Sequence, residues 1–398
     1  MKLLVADKLP PRGLDMLRDA GYEVDNDPGL SDDALTARVA EGGAQVLIVR
    51  STKVPRATLE AGKLSLVIRA GAGYNNVDVE AASELGIYVA NCPGKNAVAV
   101  AELTFGLLLA IDRHIPESVQ AIRDGKWNKK DFSKAQGVFG RTLGVIGLGE
   151  IGRQVVTRAH AFGMRVVAWS RSLTDAEAEE LGVERANDLS AVAFAADVVS
   201  VHVALTEQTK GLIGSDFFAA LRPGTIFLNT SRGAVVDGAA LRRAVEDKGV
   251  RAGLDVWNVQ PSDSVGTFAD PLGGLEGVYG THHIGASTDQ AQEAVAEEAV
   301  RVARAYREHG KVPNCVNLTD RSLATAGLVV RHADKVGVLA FVLQTLKAAN
   351  LNVEDMENIV FHGGKAACAT IRVSHAPPEE LIDQINAHEH IFGVRVTA

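Results

Sequence analysis

TLGVIGLGEIGR, residues 142–153, reads as a buried strand (Leu143, Val145, Ile146), a turn carrying Gly147, Gly149 and Gly152, and a helix beginning near Ile151. Gly147 permits the tight turn, Gly149 lets backbone approach a pyrophosphate with no Cβ in the way, and Gly152 lets helix and strand pack closely. The helix N-terminus then presents unpaired N–H groups and the positive end of its dipole, which suits the phosphates of a dinucleotide. Glycine turns also serve packing alone. Order separates the two uses here, because a strand precedes the turn, a helix follows it, and another strand (165–170) comes next.

Working outward, apolar strands recur at RVVAWS (165–170), DVVSVH (197–202), TIFLNT (225–230), RAGLDVW (251–257) and VYGTHH (278–283). With the opening strand they make six, the number in a complete doubly wound dinucleotide fold. Chemistry-bearing side chains fall just past the strand ends: His202, then Ser231 and Arg232, then Asp255, then His283. One active cleft requires that clustering.

Upstream, LLVAD (3–7), VLIVR (46–50), LVIRAG (66–71) and YVANC (88–92) alternate with helical patterns, which predicts a second parallel sheet. Ligands of such sheets gather beyond the carboxyl ends of the strands, where Arg50, Ser51 and the run Ala70–Gly73 lie. A surface ion pair explains Arg50 as well as anion binding does; the glycine-rich turn at 71–73 favours the anion. Residues 96–111, NAVAVAELTFGLLLAI, predict a helix between two domains; Asn96 at its start suits a plain helix cap as well as a functional role. The helix expected over 287–309 opens with Ser287 and Gln290 at capping-box spacing, carries Val295, Val302 and Tyr306 on one face, and stops at Gly310. Following the sixth strand, it is expected to return to the first domain. That domain is then discontinuous, 1–93 with 285–317, around a dinucleotide domain at 94–284. Residues 318–326 read as a linker, and 327–398 as a βαββαβ, ferredoxin-like module of a size suited to pairing with a copy of itself.

A formal charge of −8 over 398 residues, with no long basic run, argues against nucleic acid or an anionic membrane as the main partner. Cys92, Cys315 and Cys368 are odd in number and widely spaced, so neither a disulfide framework nor a metal site is indicated. With no apolar signal core and no run of about 18 apolar residues, a cytoplasmic location is expected.

The motifs VRS (49–51), AGAGYNNVD (70–78), GLGEIG (147–152), NTSRGAVVD (229–237), GLDVW (253–257) and HIGAST (283–288) resemble those of the D-2-hydroxyacid dehydrogenases. Within them they are similar to the branch that oxidises 3-phosphoglycerate and carries a C-terminal ACT domain. The resemblance covers essentially the whole chain. It implies an α/β fold of a flavodoxin-like substrate domain, a Rossmann dinucleotide domain and a ferredoxin-like ACT domain, assembled as a homodimer or homotetramer. It implies NAD-dependent conversion of 3-phosphoglycerate to 3-phosphohydroxypyruvate, the first step of serine biosynthesis. Carried over by motif, Arg232 would hold the substrate carboxylate and carbonyl, and His283, with Gln260 beside it, would exchange the proton. Asp255 would bind the nicotinamide carboxamide. Gly147, Gly149, Glu150, Ile151, Gly152, Ser170, Arg171, His202, Val203, Thr206, Thr230, Ser231 and Gly285 would line the cofactor. Arg50, Ser51, Gly71, Ala72, Gly73 and Asn96 would hold substrate carboxylate and phosphate, and His332, Asp334 and Asn352 fall where ACT domains bind L-serine. The residues agree with these roles: hydride transfer is the cofactor's chemistry, so protein must supply orientation, charge and one acid/base. A guanidinium suits a planar carboxylate.

Two departures from the family pattern keep alternatives open. Where an Asp usually grips the adenosine ribose, this chain has Ser170 and Arg171, so NADP stands beside NAD. Gln260 replaces the Glu that usually pairs with the catalytic His. The related formate dehydrogenases have Gln there, because formate oxidation needs no proton shuttle. Another 2-hydroxyacid dehydrogenase, a formate-oxidising enzyme, or an NAD-binding sensor or corepressor-like scaffold are the other readings.

Overall fold

The computed structural model describes residues 1–261, 265–319 and 323–397. Residues 320–322 of the expected linker lie outside the described residues. The chain forms two compact units, Met1–Asn317 and Leu318–Ala398.

The first unit holds two parallel sheets. One consists of β1 (Lys2–Val5), β2 (Glu23–Asn26), β3 (Val46–Val49), β4 (Leu66–Arg69) and β5 (Tyr88–Asn91), in the order β2-β1-β3-β4-β5. This is the flavodoxin-like order. The central strand β3 is buried throughout, as its continuous VLIV predicts. Apolar periodicity misses β2, because an edge strand reading EVDN is only partly covered and carries no run to detect. Helix Asp289–His309 packs on helix Pro11–Asp19 and shares a core with this sheet, burying Val300 and Val302 against Leu3, Val5 and Ile48, with Val295 and Tyr306 half-buried. Its cap is Thr288, whose hydroxyl accepts from Ala291 N at 3.2 Å, so the box expected from Ser287 and Gln290 does not form. The helix ends at Gly310 with φ 66°.

The second sheet contains β6 (Thr142–Ile146), β7 (Arg165–Trp169), β8 (Glu184–Arg185), β9 (Val198–Val201), β10 (Ile226–Asn229), β11 (Arg251–Leu254) and β12 (Val278–Gly280). Its order, β12-β11-β10-β9-β6-β7-β8, has the switch point between β6 and β9, where doubly wound sheets bind ligands. The added strand, β8, is two residues long and exposed, too short for a periodic signal. Helix Ala97–Arg113 lies on this sheet, with Leu108 and Ile111 packed among Leu143, Val145 and Leu228, and also touches helix Asp289–His309.

In the second unit, β13 (Ala326–Ala333), β14 (Val353–Val360), β15 (Ala366–Val373) and β16 (Ile391–Thr397) form an antiparallel sheet in the order β14-β15-β13-β16. Helices Val338–Ala348 and Glu379–Asn386 bury Val342, Leu346 and Ile385 against Leu328, Val330 and Ile371. This is the ferredoxin-like βαββαβ plan. Among the described residues no helix is long and apolar enough to cross a membrane.

Candidate active site

At the end of β6, Gly147 takes φ 97°, and a Cβ there would come within 2.7 Å of the His202 carbonyl oxygen. A Cβ on Gly152 would collide with the Gly147 carbonyl. Those two glycines are demanded by packing. Gly149 is different, since a Cβ on it would have no neighbour within 4 Å. Helix Glu150–Ala161 begins there with no side-chain cap, so its first N–H groups have no side-chain acceptor. That uncapped, uncrowded N-terminus fits a pyrophosphate. Beside it His202 is buried, with Nε2 bonded to Ser200 Oγ at 2.7 Å and Nδ1 lacking a partner. Burial depresses its pKa to about 3, so the ring is neutral.

Around this turn, Glu150 is exposed, and Ile151 is half-buried against the core. Val203 and Ser170 are half-buried, and Arg171 and Thr206 are exposed. Thr206 N donates to Thr209 Oγ1 at 2.7 Å, while the buried Thr230 hydroxyl lies 3.0 Å from that of Thr104.

Arg232 is set by the loop after β10. Asn229 Oδ1 accepts from Ser231 N at 3.0 Å and Ser231 Oγ at 2.7 Å, and Asn229 Nδ2 donates to the Arg232 carbonyl at 3.0 Å. Arg232 Nη1 donates to the Ser231 carbonyl at 2.7 Å, and its other terminal nitrogen lies against Gly73, where a Cβ would collide with it. Gly71, at φ 148°, abuts the Arg69 guanidinium in the same way. The turn carbonyls are held by β5: Asn91 Nδ2 donates to Ala72 O at 2.6 Å, and Cys92 N to Gly71 O at 2.9 Å.

Arg69 closes the apolar strand LVIR, so periodicity reads it only as a strand end; its sequence signal is a cation two residues before Gly71. Burial, then the charges of Arg232 and Arg50, lower its pKa to about 10, and its Nε is buried without a partner. Asp7 likewise reads from sequence only as the polar end of LLVAD. Its Oδ2 accepts from the backbone N–H groups of Arg50 (2.6 Å), Ser51 (3.1 Å) and Thr52 (3.1 Å), and its Oδ1 from Ser51 Oγ at 3.0 Å. Burial opposes the Asp7 charge, and these donors outweigh it and hold the carboxyl below its ordinary range. The Ser51 hydroxyl is thus engaged by Asp7. Among the described residues Arg50 makes no ion pair; its Nη1 donates to Gln292 Oε1 at 3.1 Å. The half-buried Asn96 makes no side-chain cap bond, so plain capping does not account for it.

Asp255, 1 % exposed, ties down the segment that carries His283. Its Oδ1 accepts from Thr281 Oγ1 at 2.6 Å and Ile284 N at 2.8 Å, and its Oδ2 from Gly285 N at 2.8 Å. Both oxygens therefore already have internal partners. His283 sits at φ 56°, a left-handed conformation uncommon outside glycine. Gln260 Nε2 donates to His283 Nδ1 at 3.1 Å, and Gln260 Oε1 accepts from Trp257 N at 3.4 Å. An amide nitrogen only donates, so the neutral ring carries its proton on Nε2. Although the ring edge is accessible, protein crowded round it and then the charge of Arg232 lower the His283 pKa, with Arg69 adding to the effect and Asp255 opposing it.

The C-terminal trio is not assembled within its unit. His332 is enclosed, with Nδ1 at 2.8 Å from Ala333 O and Nε2 at 3.1 Å from Asn358 Oδ1. Asp334 and Asn352 are exposed. Val353 pairs across Val373 with Ala326, whereas His332 pairs with Ala367, so Asn352 lies at the opposite end of the sheet, on the order of 20 Å away.

A profile described as "D-isomer specific 2-hydroxyacid dehydrogenase, NAD binding domain" matches residues 105–285. The chain is 38% identical over 392 residues, 97% of its length, to the D-3-phosphoglycerate dehydrogenase of Methanocaldococcus jannaschii, and spans 72% of that protein. To the D-3-phosphoglycerate dehydrogenase of Archaeoglobus fulgidus it is 37% identical over 325 residues, 80% of this chain and 59% of the relative. The structure of NAD+-bound 3-phosphoglycerate dehydrogenase from Entamoeba histolytica matches with a TM-score of 0.66 and 26% identity, covering 80% of this chain and 99% of that one.

Proposed function

The chain belongs to the D-isomer-specific 2-hydroxyacid dehydrogenases, NAD-dependent oxidoreductases acting on CH–OH groups, and we propose that it oxidises 3-phosphoglycerate to 3-phosphohydroxypyruvate, opening serine biosynthesis. The observation that carries the substrate is the pair Arg69 and Arg232 packed against the turn at Gly71–Gly73, with the charge of Arg50 also felt at Arg69. One carboxylate needs one guanidinium. Burial first, and then the neighbouring charges of Arg232 and Arg50, bring Arg69 down to about 10, and a site with that surplus of positive charge suits an anion with a phosphate as well.

In this reading NAD, when bound, accepts the hydride. Arg232 orients the carboxylate, Arg69 and Arg50 take the phosphate, and His283 takes the hydroxyl proton. Gln260 positions that ring, and Asp255 holds its segment. The first sheet with helix Asp289–His309 is the substrate domain (1–93 and 285–317), and the second sheet is the dinucleotide domain (94–284).

The test is a panel of 3-phosphohydroxypyruvate, hydroxypyruvate, glyoxylate and, in the oxidative direction, formate. The phosphorylated ketoacid should be preferred, and Arg69→Gln should raise its KM about 10-fold or more while changing that for hydroxypyruvate less than about 3-fold. Equal effects on both, or a better unphosphorylated substrate, overturn the substrate. Formate turnover favours the second reading, for which the Gln260–His283 bond speaks. NADH binding without turnover of any member favours the sensor.

For residues 327–398 the proposal is an ACT-like module that pairs with a second copy and takes L-serine there, supported by its ferredoxin-like plan and the exposed Asp334 and Asn352. Helix Ile115–Arg123 buries none of its residues and exposes Ile115, Val119 and Ile122, with Trp127 83% exposed nearby in sequence, which supports a homodimer or homotetramer. Sedimentation with and without millimolar L-serine tests both. A monomer removes the self-pairing, and an unchanged assembly with uninhibited activity removes the effector.

A further inference from the structure

β7 ends at Trp169, whose carbonyl oxygen accepts a hydrogen bond from Gly147 N at 2.8 Å. Ser170 and Arg171 therefore leave the sheet directly beside the glycine turn. In a doubly wound sheet this is where the adenosine ribose lies. A carboxylate there accepts from the 2′-hydroxyl and repels a 2′-phosphate. This chain places none. The first carboxylates downstream are committed elsewhere: Asp175 Oδ1 accepts from Arg185 Nη1 at 2.9 Å, and Glu177 accepts from Thr174 N at 3.2 Å and Arg153 Nη2 at 3.0 Å. Those donors, the Thr174 backbone first, hold the Glu177 carboxyl below its usual range. Arg171 is exposed and, among the described residues, has neither a hydrogen bond nor an ion pair. Its guanidinium is the uncommitted cation at the ribose end of the cleft.

We propose that Ser170 and Arg171 receive the 2′-phosphate of NADP(H), so that this chain takes NADP(H) as well as NAD(H). The Ser170 hydroxyl donates to the phosphate or exchanges a hydrogen bond with the bare 2′-hydroxyl, and so discriminates against neither cofactor. Arg171 supplies a charge that only the phosphate uses. The inference rests on the dinucleotide reading of the glycine turn and is independent of which hydroxy acid is oxidised.

Equilibrium binding of NADH and NADPH to the full chain, by titration calorimetry or by energy transfer from tryptophan to the reduced nicotinamide, reads this without turnover. NADH preference is expected to stay below about 10³-fold. Arg171→Ala should weaken NADPH roughly 10- to 100-fold and NADH less than about 3-fold, its NADH affinity serving as the check on folding. Ser170→Asp should weaken NADPH at least as much and leave or improve NADH. The Arg171-dependent part should fade as salt rises from about 0.05 to 0.5 M, where the screening length falls well below 10 Å. A preference for NADH beyond about 10³-fold, or an Arg171→Ala effect equal for both cofactors, overturns the proposal. Loss of both cofactors by the unmodified chain instead overturns the dinucleotide reading itself.

Discussion

The two halves of the cleft are made of opposite materials. The dinucleotide half is backbone: three glycines, an uncapped helix end and a neutral His202, with empty space before Gly149. The proposed substrate half is rich in charge, with Arg50, Arg69, Arg232 and His283 brought from four separate segments; the half-buried Asp7 carboxylate ties down the Arg50 segment and the buried Asp255 the His283 segment. The first half is compatible with stability because the glycines and His202 at its centre are neutral, and Gly147, Gly152 and His202 are closely packed. The second opposes stability, since like charges crowd in a partly desolvated cleft until an anion arrives.

Substitutions in each half should therefore fail differently. The largest effect is expected from Arg232→Ala, which should lower kcat/KM by about 10³-fold or more while leaving NADH affinity within about 3-fold. Equal loss of NADH binding would mean that the halves are not separable. Gly152→Val should do the reverse. Its side chain collides with the Gly147 carbonyl, so overpacking should cost about 2–3 kcal/mol of stability and carry NADH binding with it, read by denaturant unfolding and by titration. Unchanged unfolding would show that the turn has room that its geometry denies.

Arg69→Gln sharpens the contrast. Its folded pKa lies below its ordinary value, at about 10, so the folded state disfavours the charged form. That cost is present at neutral pH and is relieved only as pH rises through about 10. Removing the charge should therefore stabilise the apo chain by about 1 kcal/mol, once solvent screening in the cleft is allowed for, though it harms the substrate. A destabilised variant would assign Arg69 a structural role and weaken the phosphate reading with it.

The same contrast explains what was legible in the sequence. The glycine turn, the buried strands and the sites past their ends follow from local periodicity and from φ demands that only glycine meets. What periodicity cannot see is the partner across space. Asp7 reads as a polar strand terminator until Arg50–Thr52 fold over it, and Arg69 reads as the end of a strand until Arg232 comes beside it. Edge strands β2 and β8 carry too little apolar sequence to announce themselves. In the C-terminal unit His332, Asp334 and Asn352 are close in sequence, yet strand register sends Asn352 to the far end.

The smallest effect concerns Gln260, and it bears on how the charged half moves a proton. In the proposed mechanism, reduction of a ketoacid starts from the His283 imidazolium, and oxidation of a hydroxy acid from the neutral ring. Three features oppose the imidazolium: crowding around the ring, the charges of Arg232 and Arg69, and the Gln260 Nε2–H that points at Nδ1, which a second proton there would confront. The alkaline limb for reduction should thus lie below the ordinary imidazole value of about 6.5. A carboxylate at the same site accepts from Nδ1–H, favours the charged ring and leaves Nε2 as the base. Gln260→Glu should accordingly move the alkaline limb of kcat/KM for 3-phosphohydroxypyruvate reduction upward by about half a pH unit, roughly 0.7 kcal/mol. NADH affinity should be unchanged, because Gln260 belongs to the charged half. Coincident limbs in the two proteins would show that the proton reaches the substrate by a route that does not pass through the Gln260–His283 pair.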